Sequence, residues 1–100
     1  MFLSSFNFRG GVVLHNDLDM EDLFLKEDLL QVEYSINESA KIIVDVGWYG
    51  DESEQQGIFR IFVLKGNDWD NPIYAVEFKS LDDLKIYLND AIEFAITSLQ

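Results

Sequence analysis

From Leu30 onward the chain alternates apolar and polar residues with a period of two, and this constrains the fold more than any other feature. Leu30, Val32, Tyr34 and Ile36 fall on one side of an extended chain, Gln31, Glu33 and Ser35 on the other, the pattern of a strand with one wet face. A turn at Asn37-Glu38 leads into residues 41–49. There Ile42, Val44, Val46 and Trp48 share one face, and Ile43, Asp45, Gly47 and Tyr49 the other. A polar, acidic loop over 50–56 closes at Gly57. Residues 58–64 are apolar on both faces except for Arg60, which predicts a central strand covered on two sides. A turn over 66–72 and a last strand over 73–78 complete four consecutive strands.

Ser80 then opens a helix: its hydroxyl is placed to cap, with Asp83 at the third position of a capping box. At 100° per residue, Leu81, Leu84, Leu88, Ala91, Ile92, Ala95 and Leu99 gather on one flank. Asp82, Asn89, Asp90, Glu93 and Thr97 fall opposite. Short turns between the strands make an antiparallel meander, and the helix must cover one of its faces. In the first third, Gly10-Gly11 separates two apolar pieces, 2–8 and 12–14, which form short strands or one hairpin. Asp17 or Asp19 caps a short helix running to about Lys26. The expected architecture is α+β, one domain over residues 1–100. It has an antiparallel meander of four to five strands, a C-terminal helix packed on one face, and a short N-terminal helix.

Charge narrows the function. Nineteen Asp and Glu stand against seven Lys and Arg, a net charge of -12. Direct binding to nucleic acid or an anionic membrane needs the opposite sign. With 48% hydrophobic residues the chain has enough apolar surface for a core, which argues against disorder despite the charge. The absence of Cys excludes disulfides, thiol catalysis and zinc-thiolate sites, and suits a reducing compartment. No Lys or Arg precedes Phe2, Leu3, Phe6 and Phe8, and polar residues interrupt them, unlike a signal peptide. No strictly apolar run exceeds four residues, against about 20 for a membrane span. The expected location is the cytoplasm.

Catalytic and metal signals are sparse. His15 is the single histidine, with no nucleophile elbow near it. Asp17, Asp19 and Glu21 alternate as a calcium loop begins, but Asp22 stands where that loop requires Gly, and Asp28 replaces its bidentate Glu. Gly10-Gly11 lacks the spacing and following Lys of a phosphate loop. These residues predict a protein that is not an enzyme and holds no cofactor or metal.

What remains is charge beside aromatic rings. Trp48 and Tyr49 precede Asp51, Glu52 and Glu54, and Asp68-Trp69-Asp70 repeats the arrangement in another turn. In a meander these turns fall at opposite ends, so they form two patches. Asp17, Asp19, Glu21, Asp22, Glu27 and Asp28 make a further acidic patch. Each Trp has a plain reading as core filler. The functional reading is docking of a cationic protein: Trp and Tyr dominate binding hot spots, and an acidic field speeds encounter with a basic partner.

Gly47-Trp48-Tyr49, Gly57-Ile58-Phe59-Arg60-Ile61, Asp68-Trp69-Asp70-Asn71-Pro72 and the helix from Ser80 resemble bacterial immunity proteins of polymorphic toxin systems, most of all those of contact-dependent growth inhibition. The resemblance covers residues 42–99. It implies a cytoplasmic, non-catalytic protein that binds a cognate toxin C-terminal domain one-to-one, many such toxins being basic nucleases. It transfers no residue role. From their chemistry, the toxin-binding candidates are Asp45, Trp48, Tyr49, Asp51, Glu52, Glu54, Asp68, Trp69 and Asp70. The alternative is an acidic nucleic-acid mimic that inhibits DNA-binding enzymes. An exposed edge strand also leaves a homodimer open.

Overall fold

The computed structural model describes residues 7–16, 29–37, 40–51, 56–66 and 68–99. They form β1 (Val12–Asn16), β2 (Leu30–Asn37), β3 (Ala40–Asp51), β4 (Gln56–Lys65) and β5 (Tyr74–Phe78). A 3-10 turn (Leu81–Asp83) then leads into α1 (Leu84–Leu99). The strands lie in the order β1-β2-β3-β4-β5, each antiparallel to the next. The α+β architecture is therefore the expected one, with the apolar piece at 12–14 supplying a fifth strand. The short helix expected from Asp17 or Asp19 to Lys26 lies outside the described residues.

Register explains the core. Val32, Val44, Val63 and Tyr74 form one row across the sheet, and Leu30, Val46, Ile61 and Val76 the next. Trp48, Phe59 and Phe78 form a third. Onto this face α1 lays Leu84, Leu88, Ala91, Ile92 and Ala95, all fully buried. Each large aliphatic side chain removed from water there contributes about 1.5–3 kcal/mol. The opposite face carries Ile58, Arg60, Phe62 and Leu64 of β4. Leu64 is fully buried and Phe62 half-buried, so β4 has the two-sided apolar character its sequence predicts.

The helix start differs from expectation. The Ser80 hydroxyl accepts a hydrogen bond from the Asp82 N–H at 3.2 Å, while the Asp83 N–H donates to the Ser80 carbonyl at 3.1 Å. That tighter bonding makes the first turn 3-10, and α1 begins only at Leu84.

The N-terminal turn is clasped to both β2 and α1. Arg9 and Gly10 have φ values of 53° and 86°, and the Gly11 N–H donates to the Phe8 carbonyl at 3.1 Å. The Tyr34 hydroxyl donates to the same carbonyl at 2.7 Å, and Arg9 Nη2 donates to Asn89 Oδ1 at 2.6 Å. A Cβ on Gly11 would lie 2.6 Å from Tyr34 Cζ, so only glycine lets the chain pass over the ring. Burial raises the Tyr34 phenol to about 12, partly opposed by the positive Arg9.

Candidate protein-docking surface

At one end of the sheet, the turn from β4 to β5 holds Asp68, Trp69 and Asp70 away from the core. The Gly66 N–H donates to the Lys41 carbonyl at 2.9 Å, which ties the turn to β3. Gly66 has φ +64°, a left-handed conformation that costs a glycine little. The Ile73 N–H donates to the Val63 carbonyl at 2.8 Å and closes the other side. Between these anchors the Asn71 side-chain amide donates to Asp68 Oδ1 at 3.4 Å. Trp69 is 50% exposed, and Asp68 and Asp70 are exposed on either side of it. A large ring is thus presented on a backbone bonded at both flanks.

Beside the turn lies a cleft of ≈ 460 Å³, lined by Ile42, Ile73, Phe94 and Leu99 together with Lys41 and Lys65. This is within the usual range of about 300–1,000 Å³ for ligand pockets. Phe94 is 38% exposed, and its ring lies 5.2 Å from that of Tyr74. Burial raises the Tyr74 phenol, with Asp90 and then Tyr87 adding to the effect. The cleft escapes sequence reading because its wall comes from three distant stretches of chain. Its only trace there is an apolar Phe94 that follows polar Glu93 and stands about one helical turn before Thr97 and Ser98.

The other candidates are placed differently. Trp48 is only 6% exposed and belongs to the core. It is in phase with Val44 and Val46, so its indole points to the helix side, and a Cβ on Gly57 would overlap the ring. Asp45 is 1% exposed, and its Oδ1 accepts a hydrogen bond from Gln31 Nε2 at 2.9 Å. Neither presents a surface to a partner, which corrects the expectation for both. Tyr49 is half-buried on the opposite face, with the Arg60 guanidinium 4.9 Å from its ring centroid. Arg60 Nε lies 3.5 Å from Glu77 Oε1. Tyr49 therefore already has a cation of its own chain against its ring.

The backbone of Asp51 pairs with Gln56 at the end of β3. Glu52 and Glu54 lie outside the described residues, as do Asp17, Asp19, Glu21, Asp22, Glu27 and Asp28 of the further acidic patch. Trp48 and Tyr49 lie within β3 and pair with Phe59 and Ile58 of β4, whereas the Asp68-Trp69-Asp70 turn follows the far end of β4 at Lys65. At about 3.3 Å per residue the intervening stretch of β4 separates them by about 20 Å. They are two places, as the meander predicts.

Among the described residues no group of three acidic or His side chains forms a metal site, and no described helix is long and apolar enough to cross a membrane. Compared with protein-family models, curated proteins and solved structures, the chain matches none.

Proposed function

We propose that this chain is an immunity-type inhibitor, which binds a basic, nuclease-type toxin domain one-to-one in the cytoplasm and docks it through the Asp68-Trp69-Asp70 turn and the adjoining cleft. The observation that carries the reading is the half-exposed Trp69, set between two exposed carboxylates on a turn bonded at both flanks. A rigid indole loses little freedom on docking, and such rings carry much of the binding energy at interfaces. The apolar cleft beside it accommodates a partner side chain. The net charge of -12 attracts a cationic domain from a distance.

The test uses the purified chain and the toxin domain encoded with it. Trp69→Ala should speed dissociation about 30-fold, corresponding to about 2 kcal/mol. Asp68→Lys with Asp70→Lys should slow association and flatten its salt dependence. Unchanged kinetics in both variants would move the interface elsewhere. Inhibition of several unrelated DNA-binding enzymes, relieved by DNA, would favour the nucleic-acid mimic instead.

A further inference from the structure

The cleft beside the Asp68-Trp69-Asp70 turn is charged unlike the chain as a whole. Nineteen acids stand against seven Lys and Arg in the sequence, yet the cleft wall holds Lys41 and Lys65 and, among the described residues, no acid. The two lysines are not equivalent. Lys41 is in phase with Ile43 on the face away from α1, where its Nζ lies 3.8 Å from Glu33 Oε1. Lys65 pairs with Ile42, which puts its side chain on the α1 side of the sheet, where Phe94 and Leu99 complete the wall. It is exposed, and among the described residues its ammonium has no ion-pair partner. The Ser98 hydroxyl is committed to the Phe94 carbonyl at 2.8 Å. Lys65 is therefore the side-chain donor that the described wall offers to an occupant.

We infer that the cleft receives an apolar side chain joined to a carboxylate, presented by the docked partner, with the carboxylate on Lys65 and the apolar group against Ile42, Ile73, Phe94 and Leu99. This assignment rests on the toxin-docking reading and adds the chemistry of what enters the cleft. Charge complementarity selects the occupant. A cationic group would face Lys65 with no acid in the described wall to receive it, and a wholly apolar one would cover the ammonium without pairing it. Cation and anions stand on one turn, since the Asp68 N–H donates to the Lys65 carbonyl at 3.4 Å. A partner that sets a base on Asp68 and Asp70 must therefore bring an acid to a fixed place beside it. Acids alone would attract any basic protein, whereas one reversed charge rejects those whose pattern is wrong.

Side-chain NMR titration of the whole chain with N-acetylphenylalanine, and with its amide, tests it. The carboxylate should shift the signals of Ile42, Ile73, Phe94 and Leu99 saturably, and the amide should bind about threefold more weakly. Lys65→Gln should abolish that preference, Lys41→Gln should preserve it, and high salt should narrow it. No saturable shift at these residues, or an amide that binds as well as the acid, overturns the inference. Should Lys65→Gln fail to fold, salt dependence in the unchanged chain decides. Against the toxin domain encoded with this chain, Lys65→Gln should speed dissociation about threefold. Toxin kinetics that depend on Trp69 but not on Lys65 keep the docking surface and overturn the inference. The expected probe binding, with toxin kinetics indifferent to both Lys65→Gln and Trp69→Ala, upholds the chemistry of the cleft and overturns the toxin reading alone.

Discussion

Trp48 and Trp69 sit in similar sequence surroundings, each at or near a turn and close to several carboxylates, yet the fold treats them oppositely. Trp48 is 6% exposed and Trp69 50%. Trp48 continues the alternation of Val44 and Val46, which aligns it with Phe59 and Phe78. The Phe59 and Phe78 rings stack at 5.4 Å, and Phe78 meets Tyr87 at 4.8 Å. Trp69 belongs to no strand, so no alternation directs it inward. The phase of a tryptophan within its strand, and not the acids around it, decides whether it serves the core or a partner.

That contrast breaks if the two indoles respond alike to removal. Trp48→Ala should destabilise the fold most, by about 3–5 kcal/mol in urea unfolding. Gly57→Ala forces a methyl into the Trp48 ring and should cost about 1–3 kcal/mol; an unchanged midpoint would mean the indole does not pack there. Away from both rings, the Tyr34 phenol is held neutral, its folded value near 12 lying above the ordinary 10.0. Its contribution is complete below pH about 10 and is lost as pH climbs through the folded value. Stability should therefore fall over that range, and Tyr34→Phe should flatten the decline. Trp69→Ala should change unfolding least, within about 0.5 kcal/mol. In Trp48→Phe, the remaining emission should be readily quenched by acrylamide.

The sheet was legible because alternation over 30–36 and 41–49 assigns each side chain to a face before any partner strand is known. The apolar piece at 12–14 was harder: three adjacent apolar residues have no alternation, and only pairing with Glu33 and Val32 makes them a strand. Asp45 illustrates the limit for the site. Its alternation places it on the face away from α1, but its burial and its bond to Gln31 depend on β2 lying alongside. Trp69 was legible as an aromatic in a polar turn. The cleft was not, since Ile42, Ile73, Phe94 and Leu99 become neighbours only after the sheet and helix have met.

The clasp at Arg9 has a consequence for the order of assembly. Every strand neighbours the one next to it in sequence, so the meander closes mainly through short loops, which form early. The bond from Arg9 to Asn89 spans 80 positions and requires the final helix. The bond from Tyr34 to the Phe8 carbonyl needs only β2, so the turn is held first by a neighbouring strand and gains its second tie once α1 is in place.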